Sequence, residues 1–592
     1  LATAASSTTG RMNVLDYFID DTNTMTYGAF QNATVRMENR YDELGTTFDQ
    51  ATLSASHWFN DVFKVEALVG MSKSKFDNPV QTTLAIEKSG VDFSYDYRGG
   101  YRDDPLLTFG AGAFDPTGWT SNSVRLRPLG AENQYDTAEV NFSYTLNDYV
   151  TLKAGVHYKD FSFETYESRR QAENAGGIVY TADLLKQYDS GLGPNPVWLI
   201  PDFAAVDAKY GIYSNSGNFV VSRDFRRDDN YSADEKTKGA YLMASWNTDL
   251  FDHSFWGNAG LRRVSTDQSS TAWATVGTTP TQVTADHDYS ETLPSLNLNY
   301  EPWDDVIVRF GYAEVIARAG LGAIRPNVSV SVSGSARSIS GGNPLLEPTR
   351  AKTYDLGLEF YFSDEAMLGL ALFRKDIDSF AQTLRETKVF TDTGLPIQAA
   401  IDACKAGPGY GDQFGCTENV DWSVTTPLNG PGGDLKGAEI SYQMPFTFLP
   451  EFWNRFGFIG NYTYVKAQMD YVNTAGVVQA TRDLTGLSRN TVAATLYYEH
   501  DKLNARVSLA KRSKYLTTPI GRELNDMEGT NPTQNIDASA SYAINDQWKV
   551  SFEALNLTNE VDDQWVDSAG NRLTYYHETG RQYYLGLQYK FE

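Results

Sequence analysis

A chain of 592 residues with 75 acidic against 50 basic side chains has a net charge of −25, which excludes a nucleic-acid binder, since that needs a cationic face for phosphates. No run reaches the ~18 apolar residues of a membrane-crossing helix, while an aromatic share of 13% and 48 glycines favour strands and turns. A membrane protein built from strands stays open, because a spanning strand needs only ~10 residues with every second one apolar.

In chain order, residues 1–47 read as an outer loop leading into a sheet, and 48–592 as one continuous succession of long strands. The signal is alternation of period two. Ala138, Val140, Phe142, Tyr144 and Leu146 share one face, and Thr137, Glu139, Asn141, Ser143 and Thr145 the other. Asn147-Asp148 then turns the chain, and Val150, Leu152, Ala154, Val156 and Tyr158 resume the pattern. The last strand repeats it with Tyr583, Leu585, Leu587, Tyr589 and Phe591. Strands of about 10–13 residues exceed the ~5–6 usual in globular sheets.

Connections alternate between short and long. Short turns fall near Asn60-Asp61, Asn147-Asp148, Thr248–His253, Pro302–Asp305, Ser363-Asp364, Pro450–Asn454, Asp501-Lys502 and Asn545–Gln547. Long polar segments separate them at 79–134, 165–234, 269–291, 318–350, 379–436, 469–488, 517–532 and 560–580. Tight turns on one side and long loops on the other predict an all-β fold: a large transmembrane antiparallel β-barrel with long extracellular loops. Trp58, Trp246, Trp256, Trp303, Trp453 and Trp548 lie beside the short turns and predict an aromatic girdle. The strands number about 17, and an odd count predicts an open edge with N-terminal strands lacking.

No catalytic constellation emerges. The six histidines are scattered, with no paired metal-ligand spacing. Glu139, Lys153, Lys159, Arg506, Arg512, Asp537, Lys549 and Glu553 fall on the lumen face of this register, where they either bind solute or pair with whatever fills the lumen. Trp119, Trp198, Trp273, Trp422 and Trp565 lie in outer loops, as ligand-stacking platforms or as packing anchors. The only cysteines, Cys404 and Cys416, share one polar segment, and a local disulfide stapling a lid is the simplest reading. No cofactor is expected, apart from a loop-bound calcium at acidic clusters such as Asp228-Asp229 or Glu560 with Asp562-Asp563.

Several segments resemble the TonB-dependent outer-membrane receptor family, particularly its long alphaproteobacterial members. The stretch Tyr312–Gly322 is similar to a mid-barrel strand end in which Arg318 matches and Ala319 replaces a proline. Gly342-Asn343-Pro344 with Leu346 and Pro348 resembles the loop-to-strand lead-in that follows. Ala554–Glu560, Gly580-Arg581 and the terminal aromatic strand complete the resemblance, which spans roughly 40–592; Glu592 departs from it, because members end on the aromatic. The resemblance implies a 22-stranded type of barrel, of which this chain holds the C-terminal part, with the plug domain outside this sequence. It also implies energised import of a scarce bulky solute. The loop tryptophans favour a carbohydrate over a siderophore or a cobalamin-like ligand, with Arg318 and those tryptophans as candidate contacts; the alternative is a passive porin-type channel. The implied partners are outer-membrane lipid, the TonB complex through a missing N-terminal segment, the chain's own plug and a surface lipoprotein. Enzymatic activity is not expected.

Overall fold

The computed structural model describes residues 2–3, 12–99, 105–173, 177–189, 197–225, 227, 230–276, 279–333, 336–363, 365–406, 419–521 and 525–591. The predicted turns owe their shape to local chemistry. The Asn60 side-chain oxygen accepts from the amides of Val62 (3.0 Å) and Phe63 (2.8 Å). Asn147 does the same for Tyr149 and Val150, and Asn545 for Gln547 and Trp548. These are Asx turns, in which a short amide replaces a backbone acceptor and reverses the chain within a few residues. Elsewhere the reversal uses left-handed residues that tolerate positive φ, namely Asp252 (64°), Asp305 (67°) and Asp501 (45°).

Between these turns lie the wall strands: β1 (Gly45–Asn60), β2 (Phe63–Asn78), β3 (Leu129–Asn147), β4 (Val150–Glu167), β5 (Tyr231–Leu250), β6 (His253–Val276), β7 (Thr279–Trp303), β8 (Val306–Ala317), β9 (Thr349–Ser363), β10 (Ala366–Val389), β11 (Asp421–Pro445), β12 (Phe456–Val472), β13 (Asn490–His500), β14 (Leu503–Arg512), β15 (Thr533–Ala543), β16 (Trp548–Leu555) and β17 (Gln582–Tyr589). Each pairs antiparallel with its neighbour in this order, and the shorter strands Val328–Ser333, Ala336–Gly341 and Val478–Asp483 join the same sheet above the rim. The sheet is a closed barrel. Sequence reasoning expected an open edge from the odd count. Instead β17 meets β1 with both strands running the same way, and these two are the most solvent-open of the wall, β1 being exposed at every position.

The alternation sorts the wall into two faces. Leu242, Leu358, Leu370, Ile440, Leu496 and Leu585 point outward and are exposed. On a barrel that band of apolar side chains is the surface that meets lipid. Tyrosines mark its outer limit, with phenols aimed away from the band: Tyr158 donates to Asp160 (2.9 Å) and Tyr312 to Glu314 (2.8 Å). The tryptophans at the short turns divide. Trp246, Trp303 and Trp548 fall on the lipid face, whereas Trp58 and Trp256 pair in register with lumen positions. No helix among the described residues is long and apolar enough to cross a membrane.

Outside the membrane the long segments fold into a second layer. Asn13–Ile19 and Met25–Asp42, which the sequence suggested were loop, are strands that pair with each other; Met25–Asp42 also pairs with Gln81–Asp96, and Thr120–Leu126 joins that sheet. Val35, Leu84, Ile86, Val124, Val206 and Ile212 form its core, covered by the helix Phe203–Tyr210. A second core packs Ala400 and Cys404 of the helix Ile397–Ala406 against Phe390 and Trp422. Arg572 reaches back to Thr24 Oγ1 (2.8 Å) and Thr22 O (3.1 Å), joining the last outer hairpin to the first. Asp364, Asp228, Asp229, Cys416 and Glu592 lie outside the described residues.

Candidate functional site: the lumen wall and outer vestibule

Cross-strand register builds the inner face level by level. At mid-height Ser56, Glu66, Asn141, Gly155, Tyr241 and Arg262 stand side by side on β1 to β6. The Tyr241 hydroxyl donates to Asn141 Oδ1 (2.8 Å), and the Arg262 guanidinium lies 5.5 Å from the Tyr241 ring centre. Gly155 permits this: a Cβ there would meet Tyr241 Cε1 and Asn141 Oδ1 at 2.5 Å. Further round, Arg309 forms a two-point ion pair with Glu359 (2.7 and 2.8 Å), also donates to Asn299 (2.8 Å), and Tyr361 donates to the same carboxylate (2.8 Å). A fork of this kind fixes both side chains against the wall.

On the opposite side Tyr497, Arg506, Ser539, Glu553 and Tyr584 align on β13 to β17. Tyr497, Arg506, Ser539 and Glu553 line a concavity of about 470 Å³ with Glu499, Lys549 and Gln588. All eight charged residues expected in the lumen occupy its face, and none forms an ion pair among the described residues.

Above the membrane band, Arg318 sits just past β8. It donates to Tyr289 Oη (3.1 Å), Thr237 Oγ1 (3.0 Å) and Thr266 Oγ1 (3.2 Å) and lies 3.5 Å from Glu235. The expected ligand contact thus spans β5 to β7 and clamps its loop onto the wall. A second knot joins Arg350 to Glu291 (2.7 Å) and Glu347 (2.9 Å), with His287 3.5 Å from Glu347. The Gly-Asn-Pro segment feeds it. A Cβ at Gly342 would fall 2.3 Å from Arg325 O, so only glycine allows that approach, and Leu346 buries beside Ile324. Near the C-terminus Asn556, at φ 54°, accepts from Glu560 N (2.6 Å) and donates to Gly580 O (3.1 Å), tying the exit of β16 to the start of β17. A vestibule of about 330 Å³ opens there among Arg512, Tyr515, Asn535, Asp562 and His577.

Three of the five loop tryptophans are buried in protein, and Trp198 and Trp273 are partly buried. Trp422 is fully buried, Trp119 is 3% exposed and Trp565 5%. Trp198 packs on Tyr188 with ring centres 5.4 Å apart, and Trp273 has the Arg227 guanidinium 4.6 Å from its ring. Cys404 is buried beside Trp422, while its expected partner Cys416 lies outside the described residues. Of the acidic clusters, Glu560 accepts from Gln534 N (2.9 Å), Asp562 from Gln564 (3.0 Å) and Asp563 from Asn531 (2.8 Å). No group of three potential metal ligands occurs among the described residues. Sequence reasoning missed the Arg309–Glu359 fork and the Arg350–Glu347–His287 knot. Arg309 and Glu359 both sit on lumen positions of the alternation, so the signal for the first was present.

Against known proteins, the family described as TonB dependent receptor-like, beta-barrel, matches residues 76–557. No curated protein matches the chain by sequence. Among solved structures the chain is similar to the ferric-catecholate import receptor Fiu of E. coli K12, at 14% identity and TM-score 0.50, covering 98% of this chain and 77% of that one. The copper transporter OprC, at 10% identity and TM-score 0.48, covers 98% and 75%. The ferric yersiniabactin receptor FyuA of Yersinia pestis, at 11% and 0.45, covers 98% and 73%. With the family match over most of its length and a barrel whose lipid band, lumen and outer loops are all in place, the chain belongs to the TonB-dependent receptors, outer-membrane barrels that import solutes together with TonB.

Proposed function

We propose that this receptor imports a bulky, polar, anionic solute by energised transport, and that charged and hydrogen-bonding groups of the lumen hold it. The observation that carries the reading is the inner wall of β4 to β6, where Lys153, His157, Lys159 and Arg262 are set in an otherwise acidic chain. A solute in the lumen responds to nearby charges more than to the net charge of distant loops. The carbohydrate preference rested on exposed tryptophan faces; Trp119, Trp422 and Trp565 are buried, which leaves Trp198 and Trp273 partly open to a solute. Ferric chelates are the class to try first, the structurally similar Fiu being a ferric-catecholate receptor. The eight lumen charges from Glu139 to Glu553, with no ion pair among the described residues, suit a lumen that is filled, by solute or by a plug, better than an open pore. Cys404 paired with Cys416 would staple the outer lid, adding ~3 kcal/mol against unfolding.

Solute binding to the detergent-extracted receptor tests the reading. A panel of ferric chelates, cobalamin and oligosaccharides is titrated against the parent, a Lys159→Ala/Arg262→Ala variant and a Trp198→Ala/Trp273→Ala variant. The charge variant is expected to weaken binding about tenfold or more, at ~1.4 kcal/mol per factor of ten, while the tryptophan variant is expected to match the parent. Oligosaccharide binding that the tryptophan variant abolishes restores the sugar reading.

A further inference from the structure

We propose that the outer rim of β10, β11 and β12 carries a binding site for the phosphate headgroup of a membrane lipid. The register places Arg374 opposite Lys436, and Lys436 opposite Lys466, so three cations stand in one row across three adjacent strands. Strand spacing of ~4.8 Å puts all three within about 10 Å. They lie on the lipid face. Leu372 and Leu370 precede Arg374 on that face, Ala438 and Ile440 lie below Lys436, and Tyr464 and Tyr462 lie below Lys466. The row therefore sits immediately above the tyrosine level that ends the apolar band, which is headgroup height.

Like charges directly opposite one another on neighbouring strands repel, so a row of three needs an anion. Protein supplies only part of it. Arg374 donates to Asp376 (2.6 Å) and lies 3.4 Å from both carboxylate oxygens of Asp434. Lys436 and Lys466 have no ion pair among the described residues. The next row outward is acidic, with Asp376 opposite Asp434. It repels an anion from above and holds it at the level of the lysines. Ammonium groups suit the multiple oxygens of a phosphate, and the leucines and tyrosines below offer an apolar track for acyl chains. Charge complementarity and continuity with the lipid band select a lipid over a soluble anion.

Native mass spectrometry of the full receptor in neutral detergent tests this, with dioleoyl phosphatidic acid as probe and dioleoyl phosphatidylcholine, oleate and inorganic phosphate as comparisons. The parent should retain phosphatidic acid in preference to the other two lipids. Lys436→Gln/Lys466→Gln should weaken that retention about tenfold or more, since each basic residue near a lipid surface is worth about a factor of five. Lys436→Arg/Lys466→Arg should keep it, as should the lumen variant Lys153→Gln/Lys549→Gln. Heat-modifiable gel mobility establishes that each variant is folded, and Lys466→Gln alone serves if the double variant is not. Equal retention in parent and Gln variant overturns the site. Equal loss in the lumen variant, or oleate bound as tightly as phosphatidic acid, also overturns it. Displacement of the lipid by millimolar inorganic phosphate would identify a free-anion site and overturn the lipid assignment.

Discussion

Arg309 shows how single residues govern this wall. Its fork to Glu359 is partly exposed to the lumen, so the pair is worth less than a buried one, yet Arg309 also satisfies Asn299. Arg309→Ala is expected to cost on the order of 1–2 kcal/mol, and Arg309→Ala/Glu359→Ala less than the sum of the single changes; unfolding of the three variants in urea measures the difference. A second residue-scale case lies outside the membrane. Arg98 donates to the Asp96 carboxylate (2.8 and 2.9 Å) and stacks on Tyr27, and with the Arg98 backbone amide it lowers the Asp96 pKa to about 2. A depressed carboxyl favours the folded outer sheet above the ordinary aspartate range, and that contribution disappears as pH falls through about 2. Arg98→Ala should return the titration of Asp96 toward the ordinary value near ~4, read by carbon NMR of the labelled carboxyl; an unmoved midpoint would contradict the assignment.

Single elements divide into those legible in the sequence and those that were not. The short turns at Asn60, Asn147 and Asn545 were readable, because these residues carry the turn signal in their own side chains. The wall strands were readable because lipid on one side and polar lumen on the other impose strict alternation. The outer layer was not. Thr82–Ile86 is buried on both faces, so the stretch loses its alternation and resembles a polar loop broken by a few apolar residues. The loop tryptophans were ambiguous for a related reason: an aromatic in a polar segment looks the same whether it faces solute or a small core, and partners distant in sequence decide. Trp422 pairs with Phe390 at 5.2 Å and touches the Ile397–Ala406 helix region, contacts that only the folded hairpin creates. Trp422→Ala is expected to remove ~3–5 kcal/mol from this outer hairpin. Hydrogen exchange should speed up across 390–424 while β13 to β16 keep their protection; uniform loss of protection would show that hairpin and wall unfold together.

The whole molecule reads as three tiers: short turns below, an apolar band at membrane height, and a folded outer layer locked down by Arg318, Arg350 and Arg572. Leu370→Lys in the band should cost ~2–4 kcal/mol at membrane mid-height, seen as reduced heat-modifiable barrel in the outer-membrane fraction; an unchanged yield would contradict the band's placement. On the proposed function this barrel imports its solute only when energised through TonB. Uptake of radio-iron-loaded chelates by cells expressing the receptor, with and without the tonB function, tests it most directly. The account predicts accumulation that requires the receptor and stops when TonB is removed. Uptake at the same rate without TonB would contradict it and mark the barrel as a passive channel.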